Sequence, residues 1–206
     1  MADNMFDFFV FRDKRLKGDL PLSSTTILAE VDASTPLSNA FDRLTLAAKT
    51  QGKGGKLKGL FILAHGMGTG DLTGSSDFWW KGGTGVMLGQ EDLTAANVVK
   101  WSAIKNTVDY IVVYACGAAY TGHPVLSPQT VNDGQSLMSD LARHTNAIVY
   151  AADRIQWYTP GSFDFGRWEG TVYMFLPGGV VIQDFRPPTE VHDVIAPKRA
   201  VLQGFG

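Results

Sequence analysis

The chain has 206 residues, 45% of them hydrophobic and 11% aromatic, enough apolar surface for one buried core without disulfide staples. Its 18 basic and 20 acidic residues leave a formal charge of -2, which excludes a strongly basic nucleic-acid binder and an acidic solvating tail. The single cysteine, Cys116, excludes an internal disulfide framework and a Cys-rich metal site.

In chain order, residues 5–11 and 25–31 are predicted strands. Ser34-Thr35-Pro36 then marks a helix start, and Leu37, Phe41, Leu44 and Ala48 form an amphipathic stripe that ends at QGKGG. Residues 59–64 are a continuous apolar run, the pattern of a strand buried on both faces, and the run stops at His65-Gly66. The stretch GMGTGDLTGSSDFWWKGGTG that follows is too irregular for a helix and is expected to be a loop. A second helix is predicted over 94–105, with Val98 and Trp101 inward, and a second buried strand over 109–115, stopping at Cys116-Gly117. Asp133 caps a third predicted helix that carries Leu137 and Leu141 and runs through His144, whose charge suits the helix's last turn. Residues 147–152 form a third buried strand ending at Asp153, and 171–175 with 180–185 flank Pro177-Gly178-Gly179 as a hairpin. The residues from 187 onward carry three prolines and little periodicity, so a loose tail is expected over 187–206, after one α/β domain over 1–186.

Alternating strands and helices imply a mostly parallel sheet with helices on both faces. Ligands of such sheets bind beyond the carboxyl ends of the strands. The three buried strands end in His65, Cys116 and Asp153, so parallel neighbours would gather these residues on one rim. A thiol becomes a useful nucleophile when a base takes its proton, and a histidine is the usual base. Backbone N–H groups aimed at a developing oxyanion complete the chemistry of acyl transfer; those of Gly66 and Cys116 are the candidates. The His65 ring could be oriented by Asp71, Asp77 or a backbone carbonyl. No metal-ligand spacing links the histidines, and neither GxGxxG nor a P-loop is present, so no metal and no cofactor are expected.

LFILAHG (60–66) and YIVVYACG (110–117) resemble the corresponding segments of the caspase-like cysteine peptidases, a group that includes metacaspases, legumains, clostripain and bacterial toxin self-processing domains. The spacing of about fifty residues between His65 and Cys116 matches that of caspases. WEGTVYMFLPGGVVI (168–182) is similar to the ends of bacterial members and of CHAT-like proteins. The resemblance implies a caspase-haemoglobinase-like three-layer sandwich with a C-terminal hairpin. It implies a His65–Cys116 dyad, an oxyanion hole at Gly66 and Cys116, and a peptide or protein substrate cleaved through an acyl-enzyme, self-processing included. Tyr114 stands where metacaspases and clostripain-like members place an Asp that holds a basic substrate side chain. Asp153 is the candidate acid in its stead, and Tyr114 and Asp153 are therefore the expected substrate-binding residues.

Two other functions fit the same residues. A Cys-nucleophile esterase on an α/β-hydrolase plan would use Cys116, Asp153 or Asp184, and His192, in that chain order. A non-catalytic interaction module would use the same scaffold, with Trp79, Trp80, Trp157 and Trp168 as a partner surface. The opening MADNMFDFFVFRDKR lacks the basic leader and unbroken apolar run of a secretory signal, and no run reaches the length of a membrane span. A cytoplasmic protein with no membrane or nucleic-acid partner is expected, an effector delivered by dedicated machinery being the alternative.

Overall fold

The computed structural model describes residues 6–18, 20, 25–70, 80–121, 133–157 and 168–195. It is an α/β structure built on a seven-stranded, mostly parallel sheet. The strands are β1 (Phe8–Asp13), β2 (Thr26–Val31), β3 (Leu57–Leu63), β6 (Val108–Tyr114), β7 (Ile148–Ala152), β8 (Val172–Phe175) and β9 (Val181–Gln183), in spatial order β2-β1-β3-β6-β7-β8-β9. The first five of these run parallel to one another; β8 and β9 are antiparallel to their neighbours, as the PGG hairpin signal requires. The central strands are apolar throughout because both faces are covered: Phe61, Ile62, Leu63, Ile111, Val112 and Val113 have no exposed surface.

Three helical elements cover one face. α1 (Leu37–Gln51) buries the expected stripe of Leu37, Phe41, Leu44 and Ala48. It stops at Gly52, where a Cβ would lie 2.6 Å from the Ala48 carbonyl oxygen. α2 (Gly134–Thr145) is capped by Asp133, which accepts from the Ser136 N–H, and it ends at Asn146 in the left-handed conformation. Between them the segment expected as an α-helix over 94–105 is a shorter 3-10 helix, Val98–Ile104. Asn97 explains the difference, since its side chain accepts from Thr94 N–H and donates to the carbonyls of Glu91 and Asp92. That knot holds 94–97 as a turn, and the β-branched Val98-Val99 pair that follows gives a regular helix little support. Trp101 packs edge-on against Phe41 of α1, with ring centroids 5.0 Å apart.

Crossover handedness accounts for this layering. The steps β2→β3, β3→β6 and β6→β7 all advance the same way across the sheet, so right-handed connections put α1, the 3-10 helix and α2 on one face. β1→β2 steps the other way, and Leu16 in that connection is buried in the opposite core cluster. Strand order therefore reverses between β1 and β3, and the crevice at such a reversal is where open α/β sheets bind ligands.

The opposite face is covered by α3 (Val191–Ile195) together with Leu16 and Trp168. Residues 187–195, expected as part of a loose tail, instead pack: Val191, Val194 and Ile195 are buried, and Glu190 accepts from the Trp168 indole N–H at 2.8 Å. Alternate apolar positions were too few there to give a visible period. A second correction concerns the glycine-rich stretch. β4 (His65–Gly70) and β5 (Trp80–Met87) form an antiparallel pair that leaves the main sheet at the end of β3. Glycines replace the alternating apolar residues by which a strand is recognised, so this pair was not legible as strands. Among the described residues no helix is long and apolar enough to cross a membrane.

Candidate active site

The register of β3 and β6 sets the geometry. Leu63 pairs with Tyr114, and His65 and Cys116 each follow two residues beyond that pair, on neighbouring strands about 4.8 Å apart. Both emerge at the same end of the sheet and line one small cavity of about 20 Å³, room for a single water, together with Leu16, Ala64, Tyr114, Ala115 and Gln156.

Gly66 fixes the approach of the two segments. A Cβ on Gly66 would lie 1.8 Å from the Cys116 carbonyl oxygen and 3.0 Å from its nitrogen, so the start of β4 rests directly on the Cys116 backbone. Only glycine fits a contact of that kind. The chain then turns through Gly117, at a φ of 54°, and Gly117 N–H and Ala119 N–H donate to the Arg154 and Ala152 carbonyls at the end of β7.

A backbone carbonyl orients the His65 ring. Nε2 lies 3.2 Å from the Arg15 carbonyl oxygen, just past the end of β1. A carbonyl only accepts, so this partner assigns the proton to Nε2 and leaves Nδ1 to exchange a proton. Asp71 and Asp77, the other expected candidates for this role, lie outside the described residues, as do His123 and Trp79.

The thiol of Cys116 is half-buried, and its Sγ donates to the Gln156 carbonyl at 3.6 Å. Burial pushes its pKa up; backbone hydrogen bonds involving Gln156, Gly66 and Cys116 itself pull the other way, and the Glu169 carboxylate adds to the rise. Burial is the largest of these effects, and it favours the neutral thiol. Gln156 is nearly fully buried and lines the cavity. Its Nε2 donates to the Arg154 and Glu169 carbonyls at 2.9 Å each, and its Oε1 accepts from Glu169 N–H at 3.2 Å.

Tyr114 lines the cavity, with its hydroxyl 3.3 Å from the Trp157 carbonyl and its ring 5.0 Å from that of Trp168. Asp153 does not line it. Its Oδ1 accepts from the Thr171 N–H at 2.9 Å and faces Arg154, at the junction of β7 and β8. Trp168 is buried beneath Tyr114 rather than offered to a partner, whereas Trp157 is 66% exposed. The esterase constellation is not assembled. α3, which carries His192, is anchored by a hydrogen bond from Thr26 Oγ1 to the Val194 carbonyl, and Thr26 begins β2 at the rim opposite Cys116. Asp184 follows β9, three strands from β6 and roughly 14 Å away across the sheet.

Two groups beside the site are not picked out by the sequence reading. Asp13, fully buried at the end of β1, holds Arg15, whose carbonyl holds His65. Gln156 sits over the thiol because of its two ties to Glu169. A charged Asp-Lys-Arg triplet closing an apolar strand was the one available hint of the first, but only strand order reveals that β1 lies beside β3. Among the described residues no cluster of His, Cys, Asp and Glu could hold a metal.

No family model matches the chain, and no curated protein matches it.

Proposed function

We propose that the chain is a caspase-like cysteine endopeptidase. The observation that carries the reading is the pairing of His65 and Cys116 at the ends of hydrogen-bonded parallel strands, lining one cavity, with the Gly66 backbone seated on Cys116. In the proposed reaction His65 Nδ1 takes the Cys116 proton as Sγ attacks the scissile carbonyl. The amides of Gly66 and Cys116 donate to the oxyanion, a role that the close approach of these two residues supports. The tetrahedral intermediate collapses with cleavage of the C–N bond, and the imidazolium gives its proton to the leaving amine. Water, deprotonated by the same nitrogen, then hydrolyses the thioester and frees the thiol. The elevated thiol pKa favours proton transfer within the substrate complex over a thiolate formed beforehand.

A positional library of internally quenched peptides tests the reading. The expected result is cleavage that falls at least about a thousandfold in Cys116→Ala and in His65→Ala, with circular dichroism unchanged. Cleavage that survives in Cys116→Ala removes the proposal.

One observation favours a non-catalytic module on the same scaffold: the thiol is half-buried, that burial pushes its pKa up, and its cavity holds little more than a water. Peptidyl electrophiles separate the two readings. Modification of Cys116 that depends on both peptide sequence and His65 supports the peptidase; modification no faster than that of free cysteine supports the module.

A further inference from the structure

We propose that Asp13 and Arg15 are the positioning residues of the dyad. Their ion pair, buried at its Asp13 end, fixes the backbone at the end of β1 so that the Arg15 carbonyl holds His65 in the tautomer with its proton on Nε2. The inference rests on the reading of His65 and Cys116 as the catalytic pair, and it adds the device that keeps the base in its competent form.

Asp13 has no exposed surface, and every donor within its reach is spent on one local shape. Its Oδ1 accepts from the Arg15 backbone N–H at 2.9 Å and from Arg15 Nε at 2.8 Å; its Oδ2 accepts from Arg15 Nη2 at 2.8 Å and from Gly89 N–H at 3.0 Å. The side chain thus binds the main-chain N–H and the fork of the same residue, while Leu16 N–H donates to the Asp13 carbonyl at 3.0 Å and sets the plane of the peptide that carries the Arg15 carbonyl; together these bonds hold the turn after β1 in one shape. Arg15 Nη2 reaches on to the Gly89 carbonyl and to Asp92 Oδ1, both at 3.2 Å, and Asp92 Oδ1 also accepts from Leu88 N–H at 3.1 Å.

The far ends of this network explain its place. Gly89 and Asp92 follow β5, the partner of β4, and β4 begins with His65. The ion pair therefore ties the segment after β5 to the end of β1, while the Arg15 carbonyl ties the first residue of β4 to the same point. The hairpin that carries His65 and Gly66 is held at both of its roots. A buried carboxylate gains little net stability over an apolar side chain of the same volume, because its desolvation offsets the pairing. What this one adds is a fixed carbonyl, 3.2 Å from an imidazole that has two tautomers to choose from.

The experiment is long-range proton–nitrogen NMR of the His65 ring, assigned with His65→Gln among the four histidines of the chain. It is recorded on the wild type and on Asp13→Asn, with kcat and KM for the best library peptide measured in parallel. The wild type is expected to show a single tautomer, pyrrole-like at Nε2. Asp13→Asn is expected to show both tautomers in exchange, with kcat lowered about 10- to 100-fold and KM unchanged. A folded Asp13→Asn protein that keeps the single Nε2–H tautomer overturns the proposal. If Asp13→Asn does not fold, Arg15→Lys decides in its place, since it keeps a cation beside Asp13 but loses the fork; a single tautomer in that variant overturns the proposal equally. The spectra need no substrate. A wild type that cleaves no peptide would end the peptidase reading, and the tautomer result would still stand or fall separately.

Discussion

Gly66 has no room for a side chain, and the obstruction is the backbone of the very residue proposed as nucleophile. A methyl group 1.8 Å from a carbonyl oxygen cannot be relieved by a rotamer change, so Gly66→Ala must part the two segments. The expected outcome is a stability loss of about 1–3 kcal/mol in urea titration, together with loss of peptide cleavage. Wild-type cleavage in a folded Gly66→Ala protein would show that the close approach has no bearing on the chemistry. The Cys116 thiol supports a second expectation. Because burial raises its pKa, alkylation of this single cysteine by a small neutral electrophile should be slower at pH 7 than that of free cysteine, and should climb only above the ordinary thiol range. Fast alkylation at pH 7 would instead indicate a preformed thiolate. At this scale the two residues that meet at one cavity were legible, because a histidine and a cysteine closing apolar runs are features of the sequence itself. Their partners were not. The ring of His65 is oriented by a main-chain carbonyl, and every residue has one of those.

The hairpin of β4 and β5 and the end of β1 act as one unit through Asp13. Burial alone would raise the Asp13 pKa, but the hydrogen bonds from the Arg15 side chain, the Arg15 backbone and Gly89 outweigh it and hold the group below the ordinary carboxylate value. A carboxyl depressed by folding contributes stability above its unfolded pKa and loses that contribution as the pH falls through its folded value. The stabilisation from Asp13 should therefore be constant from neutrality down to about pH 4 and disappear below it. Urea titrations of the wild type and Asp13→Asn across that range check the sign: the gap between them should narrow only on the acid side of pH 4. A gap that closed between pH 8 and pH 6 would assign the effect to another group. The elements themselves were legible wherever a period of hydrophobicity existed, as in α1, with Leu37, Phe41, Leu44 and Ala48 all buried. They were hidden where it did not. Glycines carry no period, which concealed β4 and β5, and the side-chain knot at Asn97 shortened a helix that periodicity alone had extended.

Across the molecule the two faces of the sheet are unequally dressed, with α1, the 3-10 helix and α2 on one and α3 on the other. The last described helix therefore has a structural task that its composition does not announce. Truncation after Glu190 would remove Val191, Val194 and Ile195 from the second core, at roughly 1.5–3 kcal/mol for each fully buried side chain. A fall of several kcal/mol in unfolding free energy is expected, whereas an unchanged melting temperature would mean that α3 contributes no packing. The α/β class followed from the alternation of strands and helices. Strand order did not, because nothing local records that β1 lies between β2 and β3, and the crevice beside His65 depends on that reversal.

The most direct measurement is the mass of the intact protein after acid quenching during turnover of the peptide library. The expected result is a peptide acyl group on the Cys116-containing fragment of the wild type, absent from both Cys116→Ala and His65→Ala. Peptide cleavage that proceeds with Cys116 unacylated, or that persists once Cys116 is replaced, would contradict the proposed dyad.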